Sequence, residues 1–335
     1  MKISVILPVY GVADYIEKCA DSLLAQTMDD VEFLFVDDHG PDESIALLQR
    51  KIAGHARERQ FRVLRPHHNL GAGMARNFGI EQATGEYIAF IDPDDTVEPD
   101  MLESLYEKAV ATDADICCCQ MQKCYPDGSK GEILSNPRVE EGIMTHENRA
   151  YVLTHYVSLF ASMLYRREMI MAGDIRFPSD RAADDSYFVS CVWMKASSVA
   201  YVDRPLYNYL IRPGSVTTTK NSDKYRLRLA VFAKLMAYAK EHDVYDEYKA
   251  ELDLMYLKKG YLSSVANHVR NSDKPSHKAF EEIYDELLRQ VPDYKKNAYY
   301  RANKVMRFLV WLLRHCPRIA TAALRIYIKK NNIVS

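Results

Sequence analysis

The sequence lacks several features that would place it quickly in a known class. Its seven cysteines contain no Cys-x-x-Cys pair, and no second cysteine and histidine cluster has zinc-finger spacing. The P-loop pattern G-x-x-x-x-G-K-[ST] is absent, as is any uncharged apolar run of about 18 residues or a signal-peptide layout at the start. These absences argue against zinc-finger, P-loop and membrane-spanning classes, and they predict a cytoplasmic protein with reduced, buried cysteines.

Net charge is also nearly absent. The chain of 335 residues has 44 lysines and arginines against 46 acidic residues, so its formal charge is −2. This balance gives no argument for a nucleic-acid partner. The charge is unevenly distributed, however, because residues 294–335 contain ten lysines or arginines and no acidic residue. That asymmetry predicts a partner with an anionic surface near this end of the chain.

Apolar runs with strand preference alternate with helical patterns over the first 120 residues. Such alternation predicts right-handed βαβ units and an α/β fold with a mostly parallel sheet flanked by helices. After residue 220 the pattern is helical throughout, which predicts an all-helical C-terminal extension. The predicted strands are residues 3–9, 31–36, 61–64, 87–91 and 114–121.

Three carboxylates follow the fourth predicted strand. Asp92, Asp94 and Asp95 stand where an apolar run ends. Like charges this close are unfavourable unless a cation compensates them. Carboxylate oxygens are suitable ligands for Mg²⁺ or Mn²⁺. The alternative is a surface turn in which Asp95 caps the helix that follows.

The first two predicted strands also end in polar residues. The first ends around Pro8 and Tyr10, and the second ends at Asp37 and Asp38. The carboxyl ends of parallel strands share one edge of a sheet, where ligands of α/β proteins bind. The acidic pair can accept hydrogen bonds from a base or a ribose. The alternative is a helix cap and turn leading into the next helix.

Glycines and an arginine follow the third predicted strand. Gly71 and Gly73 would begin a dinucleotide fingerprint, but its third small residue would fall at position 76, which is arginine. This departure argues against NAD binding. A glycine-rich helix start with Arg76 can still approach a nucleotide closely. The alternative is a tight helix–sheet contact at Gly73 with Arg76 on the surface.

Two further polar motifs lie downstream. Asp184 and Asp185 precede an apolar helical run, where a carboxylate could serve as a general base or simply cap the helix. Arg212 is followed by Gly214 and Ser215, and this group could hold a diphosphate or form a β-turn.

In this order the motifs resemble the large family 2 of inverting glycosyltransferases, which have the GT-A fold. The resemblance covers about residues 1–216. It implies a catalytic domain at 1–220, with a nucleotide-sugar part at 1–121 and an acceptor side at 122–220, before a helical region at 221–335. The matching patterns are P-V-Y, D-D, N-x-G-x-x-x-A-R-N, G-E-Y-I-x-F-x-D-x-D-D, D-D-x-x-F and Y-x-Y-x-x-R-x-G-S.

The resemblance also implies roles for individual residues. Asp94 would be the main ligand of Mg²⁺ or Mn²⁺ and Asp92 a ribose or metal contact, while Asp185, with Asp184 beside it, would be the catalytic base. The sequence departs from the family pattern at His39, near the base pocket, and at Asp184, where a glutamate is usual. Donor-binding residues would be Pro8, Tyr10, Asp37, Asp38, Gly71, Arg76, Asn77, Asp92 and Arg212.

By the same resemblance the enzyme would move a hexosyl or N-acetylhexosaminyl group from a nucleotide-diphospho-sugar, with UDP preferred. The acceptor would be a hydroxyl of a glycan or lipid-linked molecule in bacterial surface polysaccharide synthesis. The alternative is a non-catalytic sugar-nucleotide or glycan-binding protein of the same fold. The intact Asp92, Asp94 and Asp185 argue against that alternative.

Near the C-terminus four arginines are spaced by 7, 4 and 7 residues. They would share one helical face if Pro317 only kinks the helix. A basic amphipathic helix of this kind predicts peripheral contact with the inner face of the cell membrane, or packing within the protein or in a homo-oligomer. The four residues are Arg307, Arg314, Arg318 and Arg325.

Overall fold

The computed structural model describes residues 1–180, 183–212, 224–272 and 275–330. The chain divides into two compact units, Met1–Arg212 and Pro213–Ser335. The predicted boundary at residue 220 lies outside the described residues, so the division into 1–220 and 221–335 stays a prediction. The predicted inner boundary after residue 121 falls within a strand, Ile116–Cys124.

The first unit is built on a mixed β-sheet, which has ten strands in the described part of the chain. Its first two strands are buried along their whole length, as expected for strands covered on both faces by helices. The strands are β1 (Ile3–Val9), β2 (Val31–Asp37), β3 (Phe61–Leu64), β4 (Tyr87–Phe90), β5 (Thr96–Val97), β6 (Ile116–Cys124), β7 (Lys130–Leu134), β8 (Gly142–Ile143), β9 (Met163–Arg166) and β10 (Ser198–Leu210).

The strand order is β3-β2-β1-β4-β9-β6-β10-β5, with β7 beside β6 and β8 beside β10. β3, β2, β1 and β4 are parallel, as are β6 and β10. β9 runs antiparallel between β4 and β6 and was not predicted. The α/β fold with a sheet flanked by helices is confirmed. Because β1, β2 and β4 are parallel, their carboxyl ends lie at one edge of the sheet.

Seven helices belong to this unit in the described residues. α1 is an example of the pattern that favours these helices. Its buried residues repeat at helical spacing and so lie on one face of the helix, and they are Ile16, Cys19, Ala20 and Leu23. The helices are α1 (Ile16–Leu24), α2 (Ser44–Ile52), α3 (Ala72–Gln82), α4 (Met101–Ala111), α5 (His146–His155), α6 (Arg167–Ala172) and α7 (Asp184–Lys195), with short 3₁₀ turns at Glu58–Gln60 and Phe160–Ser162.

α3 lies unusually close to the sheet at a glycine. A Cβ atom on Gly79 would stand 2.4 Å from Cγ2 of Ile6 in β1, so a larger residue would push the helix away. The tight helix–sheet contact that was considered for Gly73 is therefore made by Gly79. A Cβ on Gly73 would instead meet Oδ2 of Asp184 at 3.0 Å.

The three consecutive cysteines are buried in β6, as predicted. Burial raises the pKa of the Cys118 thiol well above its usual value and raises that of Cys119 to about 12. These side chains are therefore protonated at neutral pH and pack as small apolar groups.

The second unit is helical in its described residues, as predicted. A π-helical segment, Tyr256–Leu262, joins two of its helices, and a 3₁₀ turn lies at Tyr294–Lys296. Among the described helices, none is both long and apolar enough to cross a membrane. The helices are α8 (Lys224–Glu241), α9 (Lys249–Met255), α10 (Ser263–Asn271), α11 (His277–Gln290), α12 (Ala298–Ala302), α13 (Lys304–His315) and α14 (Pro317–Lys330).

Pro317 breaks the C-terminal helix instead of kinking it. α13 ends at His315, Cys316 has φ −136° and ψ 58°, and α14 starts at Pro317. Proline suits this first position because its missing N–H would have no helical partner there. The expectation of one continuous basic face was wrong, and the four arginines belong to two separate helices.

Candidate functional site

Asp95 attaches the acidic turn after β4 to the neighbouring part of the sheet. This buried side chain accepts hydrogen bonds from the Tyr207 hydroxyl at 2.6 Å and from the Leu210 amide at 2.7 Å, both in β10. Asp95 does not cap α4, which begins at Met101 with Asp100 as its N-cap residue. Burial, together with the charges of its acidic neighbours, raises the pKa of Asp95 well above its usual range.

Tyr207 connects two residues of this turn. Besides donating to Asp95, its hydroxyl oxygen accepts a hydrogen bond from the Asp92 amide at 3.1 Å. Burial raises the pKa of Tyr207 well above its usual value, so the hydroxyl remains a donor. The backbone of Asp92 and the carboxylate of Asp95 are therefore positioned by the same strand, β10.

Asp92 is paired with a buried arginine. Nη2 of Arg76 lies 2.6 Å from Oδ1 of Asp92, and Nη1 lies 3.8 Å from Oδ2 of Asp184. Arg76 is 7% exposed, so the alternative that placed it on the surface was wrong. Burial lowers the pKa of Arg76, but Asp92 and Asp184 raise it more, and the guanidinium stays charged. Arg76 thus joins the turn after β4 to the acidic pair at the start of α7.

Aromatic rings hold this arginine from the other side. The guanidinium carbon of Arg76 lies 4.6 Å from the ring centre of Phe160 and 5.3 Å from that of Phe177. The ring of Phe177 stacks on that of Phe188 in α7 at 4.1 Å. Cation–π contacts of this kind favour one position of the guanidinium. The aromatic cluster therefore fixes Arg76 between its two carboxylates.

Asp94 is paired with the arginine at the end of the first unit. Nε of Arg212 donates to Oδ2 of Asp94 at 2.7 Å, and the guanidinium lies over the ring of Tyr15 at 4.6 Å. Burial and the charge of Asp92 raise the pKa of Asp94 above its ordinary value, although Arg212 opposes that rise. The structure therefore brings Arg212 to the acidic turn. Gly214 and Ser215, which follow it in the motif, lie outside the described residues.

Asp92 and Asp94 provide the oxygen ligands that Mg²⁺ and Mn²⁺ prefer. Burial, and after it the charge of Asp92, raises the pKa of Asp94, and a divalent cation would relieve the repulsion between these two carboxylates. The donor set fits such an ion. Across the described residues, however, no group of three His, Cys, Asp or Glu side chains gathers around one point. Each of the two carboxylates is instead bonded to an arginine.

The acidic pair at the end of β2 does not cap the helix that follows it, and Asp38 instead accepts hydrogen bonds from the chain that precedes α3. Oδ1 of Asp38 accepts from the Leu70 amide at 2.6 Å, and Oδ2 accepts from the Gly71 amide at 2.9 Å. Asp38 thereby binds the chain just before α3, where Gly71 takes a φ of 81° that suits glycine. Asp37 is paired with Arg65 at 2.8 Å. Both carboxylates are at the predicted sheet edge, and their contact with a nucleotide stays a prediction.

The ends of β1 and β2 also touch each other. A Cβ atom on Gly40 would lie 2.8 Å from the Gly11 amide nitrogen, so the two loops meet closely. Pro8 is buried in β1 opposite Val36, whereas Tyr10 is exposed directly after the strand. An exposed aromatic ring at this edge is available for stacking on a base.

Asn77 holds two segments of the site together. Its amide group donates to the Phe177 carbonyl at 2.8 Å and accepts from the Phe177 amide at 2.8 Å. These bonds tie α3 to the segment that leads towards α7. Asn77 therefore positions the site in this structure, and its direct contact with a donor stays a prediction.

The acidic pair lies in the first turn of α7 and does not cap it. Ala183, the N-cap residue, has a left-handed φ of 58°, which costs about 1 kcal/mol for a residue with a side chain. Oδ1 of Asp185 accepts from the Ser186 amide at 2.7 Å, and the Ser186 hydroxyl is bonded to that of Ser158 at 2.7 Å. A strained residue directly before two carboxylates is typical of a functional site.

Sequence reasoning missed part of this arrangement. Tyr207 was visible in the Y-x-Y-x-x-R pattern but was given no role. Tyr15, Phe160 and Phe177 carry no motif, because a ring that packs on an arginine looks like any other core aromatic. Only the buried position of Arg76 points to Phe160 and Phe177.

Comparisons with known proteins agree on a family. The model of the family described as "Glycosyl transferase family 2" matches residues 4–173. EpsH of Bacillus subtilis (strain 168) is 31% identical over 258 residues, which cover 75% of this chain and 73% of EpsH.

Two solved structures are similar in fold. S. aureus TarS 1–349 in complex with UDP has a TM-score of 0.61 at 18% identity, over 90% of this chain and 92% of that one. The mannosyltransferase PcManGT from Pyrobaculum calidifontis, in complex with GDP-Man and Mn²⁺, has a TM-score of 0.54 at 17% identity, over 98% and 88%. At these identities the likeness shows the fold, which is GT-A.

Proposed function

The chain belongs to glycosyl transferase family 2 and is a glycosyltransferase. On this premise we propose that it transfers a sugar with inversion of the anomeric configuration. The donor is a nucleotide-diphospho-sugar with UDP as the nucleotide. The acceptor is a hydroxyl of a glycan or lipid-linked molecule of the bacterial cell envelope. One observation carries the proposal, namely that Arg76 joins Asp92 of the donor side to Asp184 beside the expected base.

The donor side of the reaction depends on Asp94, Asp92 and Arg212. Asp94 and Asp92 would hold Mg²⁺ or Mn²⁺, which supplies positive charge to a leaving nucleoside diphosphate. Arg212 already donates to Asp94 through Nε. Its other guanidinium N–H groups can donate to a phosphate oxygen at the same place.

Asp185 acts on the acceptor side. It takes the proton from the acceptor hydroxyl while that oxygen attacks the anomeric carbon from the side opposite the diphosphate. Attack from that side inverts the anomeric configuration, so one carboxylate suffices as base. Asp184 is held by Arg76 and positions the first turn of α7. The aromatic rings that pack on Arg76 fix its position, and Arg76 in turn fixes the donor side of the site relative to the acceptor side.

The nucleotide pocket is the edge formed by Tyr10, Asp37 and Asp38. Support for UDP comes from the family resemblance, and TarS, which shares the fold, has UDP in its structure. PcManGT carries GDP-Man with the same fold. A comparison of UDP- and GDP-sugars therefore decides the nucleotide.

A thermal-shift screen with UDP-, GDP- and dTDP-sugars, each with Mn²⁺ or with a chelator, tests the proposal. We expect a UDP-sugar to raise the melting temperature only when Mn²⁺ is present. Asp94→Asn should abolish that shift. Absence of a shift with every donor would contradict the proposal.

An assay of UDP release separates this enzyme from a non-catalytic binding protein of the same fold. The wild-type protein should release UDP from the donor that stabilises it, with water as a slow acceptor in the absence of glycan. Asp185→Asn should retain the thermal shift and lose this release. Binding without release in the wild-type protein would favour the non-catalytic alternative.

A further inference from the structure

The last two described helices expose apolar side chains outward. Val305, Phe308 and Trp311 of α13 are 77%, 61% and 50% exposed, and Ile319 and Ile326 of α14 are 61% and 68% exposed. Spacings of three and seven residues place each set on one side of its helix. A surface helix normally turns such residues towards the core.

The inward sides of these helices are already filled. Met306, Val310 and Leu313 of α13 are buried, and so is Ala320 of α14. α14 also packs on α13 and α10. The outward apolar residues are therefore not a misplaced core face, because α13 has a separate buried apolar side and α14 is covered within the unit at Ala320.

Arginines lie beside the outward apolar strips. Arg307 and Arg318 are exposed. Arg314 lies over the ring of Tyr284 at 4.1 Å, and Arg325 donates to the Ser272 carbonyl at 3.1 Å. Residues 294–335 have ten lysines or arginines and no acidic residue. The outward strips therefore lie within a segment whose charge is entirely of one sign.

We propose that the outward sides of α13 and α14 bind the surface of an anionic lipid bilayer. We call the exposed residues of the two helices together the basic apolar face, which comprises Val305, Arg307, Phe308 and Trp311 of α13 with Arg318, Ile319 and Ile326 of α14. Phenylalanine, tryptophan and isoleucine side chains enter the boundary between headgroups and acyl chains, while arginines reach the phosphates. α13 has 12 residues, about 18 Å of helix, so it lies along the bilayer and does not cross it.

Charge favours a lipid surface over a second copy of this chain. A two-fold dimer would bring the same face of each copy together. Arginines would then meet arginines, and the segment has no acidic side chain to compensate them. An anionic bilayer supplies both a boundary for the apolar side chains and negative charge for the cations.

Flotation of the full chain with lipid vesicles tests this proposal, which does not depend on the proposed function. We expect the protein to float with vesicles of phosphatidylcholine mixed with phosphatidylglycerol and not with pure phosphatidylcholine. Binding should weaken as salt is raised, because exposed charges are screened. Equal recovery from both vesicle types and from a lipid-free gradient would overturn the proposal.

Variants separate the apolar and the basic contributions. Phe308→Gln with Trp311→Gln should reduce partitioning at least tenfold, since both rings leave the bilayer boundary. Arg307→Gln with Arg318→Gln should reduce it about fivefold for each arginine removed. Ile143→Gln, at a side chain that is 82% exposed in β8, is the matched control and should float like the wild type.

Sedimentation velocity without lipid completes the test. The wild-type protein should sediment as one species that the Phe308 and Trp311 changes do not alter. A dimer that dissociates in that double variant would overturn the proposal and assign the face to a second copy. Far-UV circular dichroism and the thermal melting of each variant without ligand show whether it is folded, so this control does not depend on the nucleotide-sugar.

Discussion

The acidic edge of the sheet and the basic apolar face of the helical unit differ in whether their charged side chains are paired within the protein. At the sheet edge Asp92, Asp94 and Asp95 are bonded to Arg76, Arg212 and Tyr207. On the basic apolar face the arginines at 307 and 318 are exposed beside apolar side chains that are also exposed. Charges that are already paired fix a geometry before any ligand arrives. Charges left towards solvent are suited to a partner that comes from outside.

The difference also separates two kinds of arginine. Arg76 is buried between two carboxylates and two aromatic rings, so its position is determined from several directions. Arg318 projects from the first turn of α14. The first should matter to stability and to the site, whereas the second should matter only when a bilayer is present. Four measurements test whether this distinction holds.

The largest expected effect is on turnover. Asp185→Asn should lower kcat by a factor of about 100 to 10,000, because an amide cannot accept the proton of the acceptor hydroxyl. The KM for the donor should change little. Asp174→Asn is the matched control, since Asp174 is exposed with a φ of 46° that asparagine tolerates. Equal loss of activity in both variants would show that Asp185 is not the base.

The next effect is on folding stability. Arg76→Met should lower the free energy of unfolding by about 3 kcal/mol, because it leaves Asp92 and Asp184 without their buried partner. Arg318→Met should leave the midpoint of urea unfolding unchanged. Similar midpoints for both variants would remove the distinction between paired and exposed arginines.

A smaller loss of stability is expected at the tyrosine beneath the acidic turn. Tyr207→Phe removes one hydroxyl, which leaves the Asp95 carboxylate short of a donor and the Asp92 amide without its acceptor. The cost should be about 1–3 kcal/mol in urea unfolding. Tyr125→Phe, at an exposed position, should have no effect. A neutral Tyr207→Phe would mean that the turn is held without this hydroxyl.

The smallest effect concerns a carboxylate that is well paired but far from the edge. Glu32, near the start of β2, accepts hydrogen bonds from Ser4, Arg62 and Thr84. Although burial raises its pKa, these bonds lower it more, and the folded value lies below the usual one. Its contribution is therefore present above the unfolded pKa of about 4.3 and is lost as the pH falls through the folded value.

Glu32→Gln should flatten this acid dependence without changing turnover at neutral pH. Urea unfolding at several pH values, with the activity assay beside it, measures both. If Glu32→Gln lost as much activity as Asp185→Asn, the expectation that Glu32 affects stability but not turnover would be wrong.

The sequence identified the strands of the parallel half and the polar residues at their ends. It succeeded there because apolar runs that end in aspartates are local patterns. It could not identify β9, whose partners β4 and β6 are distant in the chain, nor the burial of Arg76, which depends on Phe160 and Phe177. It also could not identify the bonds from Leu70 and Gly71 to Asp38, since those residues are about 30 positions away. Long-range contacts decide each of these cases.

The insertion of β9 between β4 and β6 has a consequence for synthesis. The chain emerges in order, so β3, β2, β1 and β4 are complete before β6 is made, and this quartet can fold early. β6 cannot join this quartet until Met163–Arg166, which forms β9, has left the ribosome and paired with both β4 and β6. Until then the inner border of β4 stays unpaired, and a nascent chain stalled before residue 163 is prone to aggregation at that border.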